Sequence, residues 1–379
     1  MKYRALGKTG VNVSALGFGA MRLPTKGTET EVDEAAAVQM IRYAVDRGVN
    51  YVDTAYMYHG GNSERVVGKA LQDGYREKVF LATKLPHWNV VRLADCDRLF
   101  DEQLARLRTD RIDFYLLHCL QKEPWAKVRE LGVLDWMTNM RSRGRIGHIG
   151  FSFHDDFELF AEIVDAYDWE FCQIQYNFVG EGVQAGTKGL RYAAAKSLGV
   201  IVMEPLFGGT LANPPQPIWE IWNNNHHRHR PADVALRWLW NKPEVSLVLS
   251  GMSNLEQVRL NIESACRSGV GCLEEDEATV VSLVQREYKK LSPIPCTKCG
   301  YCLPCPQGVN IPLNFELYNS AAVFQGNSIT LGRNMYNFLP EAEKAKTCAA
   351  CGSCEEKCPQ QIEIGKMMQR VREQFQQDS

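Results

Sequence analysis

Four side chains fall at intervals suited to proton chemistry on an oxygen atom. Asp53 ends the apolar run NYVD, Tyr58 follows shortly after it, Lys84 ends VFLATK, and His118 ends FYLLH. A phenol has a reference pKa of about 10, too high for efficient acid–base work near neutrality. A neighbouring ammonium would stabilise the phenolate and lower that pKa, and a carboxylate paired with the ammonium would hold it in place. On this reading Tyr58 is the acid–base group, Lys84 and Asp53 tune it, and His118 donates a hydrogen bond to the same substrate oxygen as charge develops there. The chemistry is proton transfer to or from a carbonyl or alcohol oxygen. The accompanying hydride is beyond any side chain, so a nicotinamide or a flavin is required. Taken singly, a loop tyrosine or a strand-end lysine is more often structural; the ordered set of four points to catalysis.

Such a set needs strand ends that converge. Eight apolar runs, SALGFGAM, VNYVDT, KVFLATK, DFYLLH, IGHIGFS, FCQIQYN, VIVMEP and SLVLSG, alternate with helical patterns. The first helix is expected from Val32, with Ala36, Met40, Ile41, Ala44 and Val45 at near-helical spacing and Gly48 as its stop. Others are expected from Ser63, Asp97, Asp156, Gly189, Pro231 and Asn254, with one around Leu131 to Arg143. Unbroken apolar strands suit a parallel sheet buried on both faces. Eight βα units over roughly 250 residues predict an α/β fold, the (β/α)8 TIM barrel, with its site at the C-terminal strand ends. An open doubly wound sheet is the alternative, but no G-x-G-x-x-G follows the first strand. The leading segment reads as a small hairpin.

The bulk properties narrow the function. A chain of 379 residues suits one large domain with an appendage. A formal net charge of -2 offers no basic field for nucleic acid. No apolar run has membrane-spanning length and the N-terminus lacks a signal-peptide core, so a cytoplasmic protein is expected, with no membrane partner.

At these residues the chain resembles the aldo-keto reductase family. DTAYMYHGGNSE is similar to that family's Asp-Thr-Ala-x-x-Tyr-Gly signature, with Asp53 and Tyr58 on its catalytic positions; ATK supplies Lys84 and LLH supplies His118. Tyr56 competes for the role of the phenol, and spacing favours Tyr58. His59 stands where the signature has glycine. The resemblance, over about residues 1 to 285, implies nucleotide contacts: Ser152 and Gln173 for the nicotinamide amide, and Gly251, Ser253, Gln257 and Asn261 for the adenosine-phosphate end. VMEPLFGG resembles the pyrophosphate-side loop. Met203 stands where the family stacks an aromatic ring. Gly251 and Gln257 take the places of basic residues that would grip a 2′-phosphate, leaving Arg259 as the only nearby cation. NAD(P)H is therefore the expected cofactor and a flavin the alternative.

Between the seventh and eighth strands, His226, His227 and His229 read as part of a polar loop rather than a metal site, and Trp219, Trp222, Trp238 and Trp240 as packing residues. Thirteen cysteines are unevenly spread, eight of them in two short runs near the C-terminus. CTKCGYCLPCP carries Cys296, Cys299, Cys302 and Cys305; CAACGSCEEKCP carries Cys348, Cys351, Cys354 and Cys358. Three closely spaced thiolates of one loop reach one cubane, while the cysteine before proline ligates the other cluster in two-cluster ferredoxins. That predicts two [4Fe-4S] clusters, one on Cys296, Cys299, Cys302 and Cys358, the other on Cys348, Cys351, Cys354 and Cys305. Zinc and a single cluster are the alternatives. The intervening stretch is helix-compatible, so a helical ferredoxin-like domain is expected over 291–379 after a barrel over 1–290. Cys96, Cys119, Cys172, Cys266 and Cys272 read as small buried residues.

The whole chain thus resembles the aldo-keto reductase branch that carries a C-terminal 4Fe-4S domain. An enzyme interconverting a small-molecule carbonyl and alcohol is expected, with a redox partner protein a further expectation because clusters pass single electrons while a hydride carries two. The competing reading is an electron-transfer or regulatory subunit whose barrel binds nucleotide or flavin without turnover.

Overall fold

The computed structural model describes the chain except residues 226–228, 297, 324–326 and 377–379, and leaves the side chains of 323, 327–331 and 376 undescribed. His226 and His227 therefore lie outside the described residues. Two compact units emerge, one of residues 1–206 and 232–274, the other of 207–231 and 275–379.

In the first unit eight strands close a barrel: β1 (Leu16–Gly19), β2 (Tyr51–Asp53), β3 (Phe80–Leu85), β4 (Ile112–Leu120), β5 (Ile146–Phe153), β6 (Phe171–Gln175), β7 (Gly199–Met203) and β8 (Val245–Gly251). All neighbours are parallel, and β8 pairs with β1 through Val248 and Leu16. Closure rules out the open sheet. The expected hairpin forms from Tyr3–Ala5 and Asn12–Ser14, and its Val13, with Leu6 just past the first strand, joins the barrel's interior cluster of Tyr51, Ala82, Phe114, Leu116, Phe171, Ile201, Leu247 and Leu249.

The helices follow the periodicity with shifted ends. Asp33 caps Glu34–Asp46 by accepting from Ala36 N, and Gly48 takes the left-handed conformation just beyond it. Asn254 caps Leu255–Cys266 by accepting from Gln257 N. The helix expected around Leu131 to Arg143 forms as Val133–Ser142, and an additional helix, Lys122–Glu130, precedes it across Gly132, whose φ is 71°. A helix at Gln216–Asn224 arises in the segment read only as loop and tryptophans. Cys96 and Cys172 are buried as expected, but Cys266, at the last turn of its helix, is exposed. Trp222, Trp238 and Trp240 are packing residues.

The second unit is helical among its described residues, with Glu275–Leu291, Ile311–Val323, Asn327–Phe338 and Ile364–Gln376. The first of these ends just before the prolines at 293 and 295, as those residues require. Its core holds Val309, Ile311, Phe315, Tyr336, Ile362, Ile364, Met368 and Val371, with six of the clustered cysteines packed against it: Cys296, Cys302, Cys305, Cys348, Cys354 and Cys358. Among the described residues no helix is long and apolar enough to cross a membrane.

Candidate active site and cysteine loops

The barrel's inward layers explain which residues meet. Side chains alternate along a strand, so the residue two beyond an interior one points the same way. Tyr51, Ala82, Leu116, Phe171, Ile201 and Leu249 form one apolar layer. Two residues further along each strand stand Asp53, Lys84, His118, Gln173, Met203 and Gly251, at the C-terminal end. The register staggers these neighbours, Asp53 pairing with Ala82 and Lys84 with Leu116, while keeping all of them on the inward face. Gly150 and Ser152 on β5 continue the ring.

Lys84 Nζ, 1% exposed, lies 2.6 Å from Asp53 Oδ1 and donates to Thr54 O at 2.8 Å and Tyr58 Oη at 3.4 Å. Gln173 Nε2 reaches Asp53 Oδ2 at 3.4 Å. The Tyr58 and His118 rings meet edge to face at 5.9 Å, and the Trp88 ring lies 5.2 Å from His118. The four expected residues are thus one cluster. Tyr56 is directed elsewhere, donating to Glu102 Oε2 at 2.7 Å.

The electrostatics correct one expectation. Burial pushes the Tyr58 phenol up; Lys84 pulls it down, but burial, with Asp53 and Glu204 behind it, prevails. The resting phenol is a proton donor. Burial works against the Lys84 ammonium, yet Asp53 and Tyr58 outweigh it and hold the lysine above its ordinary value. Burial raises the Asp53 carboxyl against the pull of Lys84 and Gln173. Burial, then Lys84 and the neighbouring His154 and His87, keep His118 well below the usual imidazole range and therefore neutral. Its buried Nδ1 has no hydrogen-bond partner among the described residues.

His59, the departure from the signature, adopts φ 53°, a left-handed conformation that explains why glycine suits the position. It compensates by pinning the loop: Nε2 accepts from Leu23 N at 3.2 Å while Nδ1 meets Glu29 O at 2.6 Å.

At the expected nucleotide positions the side chains bond to the chain itself. Ser152 Oγ accepts from Cys119 N at 2.7 Å. Gln257 Oε1 accepts from Ser253 N at 2.8 Å, and Asn261 Nδ2 donates to Ser250 Oγ at 3.0 Å. Arg259 is not the only cation here. It pairs with Glu256 at 4.0 Å, whereas the stem of Arg22, from the turn after β1, lies across Gly251, its Cγ 2.8 Å from where a Cβ would stand. Long-range packing, not sequence spacing, brings Arg22 there. A surface cleft of about 780 Å³, with Arg76, Arg108 and Arg145 in its wall, lies at the opposite end of the strands.

The cysteine loops repeat one backbone. Lys298 and Ala350, two residues after the first cysteine of each run, have φ of 56° and 51°, and Gly300 and Gly352 both have φ 77°. The N–H groups of Lys298 and Ala350 donate to Cys296 Sγ and Cys348 Sγ, each at 3.4 Å. After the Cys-Pro pairs, Gly308 N and Gln361 N close turns onto Cys305 O and Cys358 O at 2.9 and 3.0 Å. Ile311 and Ile364 then start equivalent helices. The thiols group across the runs: Cys302 interacts electrostatically with Cys296, Cys299 and Cys358, and burial raises Cys354 to about 11 with Cys348 and Cys305 adding to it. A largely enclosed cavity is lined by Cys305, Cys348, Cys351 and Cys354. Among the described residues no three His, Cys, Asp or Glu side chains close around a single-ion position.

A family model described as the aldo/keto reductase family matches residues 15–267, and one described as a 4Fe-4S dicluster domain matches 295–363. L-galactose dehydrogenase of Arabidopsis thaliana is 27% identical over 313 residues, covering 77% of this chain and 97% of its own. An aldo-keto reductase of Bacillus subtilis is 27% identical over 269 residues, covering 68% of this chain and 76% of its own. Among solved structures, an aldo-keto reductase from Bacillus halodurans in its holo form has a TM-score of 0.63 at 24% identity, covering 75% of this chain and 96% of its own. One from Klebsiella pneumoniae in complex with NADPH has a TM-score of 0.60 at 24% identity with the same coverage. These likenesses show the shared barrel fold.

Proposed function

This chain belongs to the aldo/keto reductase family and ends in a 4Fe-4S ferredoxin-type domain, and from that premise we propose that it interconverts a carbonyl and an alcohol on a small molecule through Tyr58. The observation that carries this reading is the buried Lys84 ammonium, which touches both Asp53 Oδ1 and Tyr58 Oη. In the reducing direction Tyr58 gives its Oη proton to the substrate oxygen. Lys84 stabilises the phenolate left behind, Asp53 keeps Lys84 charged, and neutral His118 offers its single N–H to the same oxygen.

A bound nicotinamide would supply or take the hydride. Ser152 and Gln173 would hold its amide and Met203 would lie beside its ring. Gly251, Ser253, Gln257 and Asn261 would line the adenosine-phosphate end, where Arg22 provides a cation. A flavin in the same mouth is the alternative. In the domain proposed for 291–379, following a barrel over 1–290, Cys296, Cys299, Cys302 and Cys358 would hold one [4Fe-4S] cluster and Cys305, Cys348, Cys351 and Cys354 a second. The repeated loop backbone and the crosswise grouping of thiols support that assignment. Eight thiols kept for metal suit a reducing compartment, the cytoplasm.

Tyr58→Phe tests the chemistry: kcat should fall by about 10²- to 10⁴-fold, the usual contribution of a positioned acid–base group, with nucleotide binding retained. Turnover that survives the change refutes the carbonyl reading. The barrel would then be a nucleotide-binding part of an electron-transfer protein, most directly probed by anaerobic titration of cluster absorbance and EPR with NADH, NADPH and dithionite.

A further inference from the structure

Beneath the proton-transfer groups lies a polar network that the reaction above does not use. Glu64, in helix Asn62–Ala70, is 0% exposed, yet both carboxylate oxygens are engaged. Oε1 accepts from Thr83 Oγ1 at 2.7 Å and Gln103 Nε2 at 2.8 Å; Oε2 accepts from Arg106 Nη1 at 3.2 Å. Each partner also grips part of the site. Gln103 Nε2 donates to the backbone oxygen of Lys84 at 3.0 Å, while Gln103 Oε1 accepts from Tyr115 Oη at 2.7 Å. Arg106 Nη1 donates to Tyr56 O at 3.1 Å, two residues before Tyr58, and the guanidinium lies 4.0 Å from the centre of the Tyr56 ring.

One buried carboxylate is therefore tied to Lys84 through Gln103 and to the Tyr58 loop through Arg106. An apolar residue would pack this helix on the barrel without the cost of burying a charge. A carboxylate here does what an apolar residue cannot: it fixes two polar arms whose far ends set where Lys84 and Tyr58 meet.

We infer that Glu64 is a positioning residue for the proposed proton transfer, holding Lys84 Nζ against Tyr58 Oη at the observed 3.4 Å. The inference rests on the catalytic reading of Tyr58 for its purpose, but its geometric content can be tested without a substrate. Lys84 opposes the upward push of burial on the phenol. If the arms slacken and the pair separates by about 1 Å, the loss of Coulomb attraction raises the phenol by roughly 1 pH unit.

The test is alkaline titration of tyrosinate absorbance in the purified, cluster-loaded protein, with the Tyr58 signal isolated by difference against Tyr58→Phe. In Glu64→Gln the amide oxygen replaces Oε1, but Arg106 faces an N–H group, so the Tyr58 titration should move up by roughly 1 pH unit in a protein whose circular dichroism is unchanged. Gln103→Met, which cuts the Lys84 arm together with the Tyr115 hydrogen bond and leaves the Arg106 arm intact, should move it the same way and serves if Glu64→Gln does not fold. A Tyr58 titration at the wild-type pH in either folded variant, with only a lower melting temperature, overturns the inference and leaves Glu64 a plain structural residue. Carbonyl turnover surviving in Tyr58→Phe would remove the proposed reaction while leaving the titration result to stand or fall on its own.

Discussion

Replacing Asp53 with asparagine isolates the charge of the buried pair. The Lys84 and Asp53 side chains are 1% and 5% exposed and 2.6 Å apart. Two unit charges at that separation attract by about 6 kcal/mol at an effective dielectric of about 20. Part of that offsets the desolvation of both groups. Asparagine keeps an oxygen for Lys84 Nζ, so the hydrogen bond survives and only the charge is lost. The expected destabilisation is about 3 kcal/mol, the low end for breaking a buried pair from one side. In a barrel of this size that is a fall in Tm of about 6–12 °C. The pH dependence carries the sign. In the wild type the folded lysine sits above its ordinary 10.5, so its contribution is intact below that pH and is lost only above it. In the variant burial is opposed only by hydrogen bonds to neutral partners, and the folded pKa falls below the unfolded one. The penalty is then largest near neutrality and shrinks as pH rises towards 10, so the two melting curves should converge. Calorimetry of anaerobically purified protein at pH 7 and pH 9.5 reads both effects. A Tm within about 1 °C of wild type at pH 7 would refute the argument that Asp53 stabilises a charged, buried Lys84.

Other expectations follow from the same structure. His87 and His154 are held at about 4 by burial. The unfolded chain therefore binds more protons between pH 6.5 and 4, and stability should fall with pH across that window by up to about 1.4 kcal/mol per pH unit for each histidine. Urea unfolding at pH 7 and pH 5 measures the fall, and a flat profile would mean that the imidazoles are open to water. Cys358→Ser should deplete the cluster of the first run and Cys305→Ser that of the second, each lowering bound iron from about eight to about four atoms per chain while EPR retains the other cluster. Gly68→Ala should cost about 1–3 kcal/mol, because its Cβ would stand 2.5 Å from Arg106 O on the neighbouring helix Ala94–Leu107; an unchanged urea midpoint would show that the two helices separate freely.

The barrel was legible because its signal is local and repeated. Most strands are apolar runs ended by a polar residue, the helices have periodic faces, and Asp156 and Asn254 mark helix starts that the structure confirms. What escaped was set by single residues under tertiary influence. The short helix Lys122–Glu130 carries Pro124 in its first turn and buries only Trp125 and Val128, and the prolines and asparagines around Gln216–Asn224 masked a helix whose Ile218 and Trp222 are buried. Neither reverses the fold, since both lie in the connections between strands.

The site divides differently. Asp53, Lys84 and His118 could be brought together from sequence because period-two alternation and barrel register act on each strand alike, so three strand ends predict three neighbours. The direction of the Tyr58 shift could not, because it is a contest between burial and a cation, and spacing reports only the cation. Arg22 was missed for a related reason: its place across Gly251 depends on closure of β8 against β1, residues far apart in the chain. Glu64 sits in the quoted signature, yet its meaning lies in Gln103 and Arg106, which no motif links to it. Sequence motifs thus supply the groups proposed to act on the substrate oxygen, whereas the groups inferred to set the distances between them come from helices packed outside the barrel. The two classes should also fail differently under mutation: loss of Tyr58 should lower kcat by about 10²- to 10⁴-fold, while loss of Glu64 should shift the pH at which the phenol ionises.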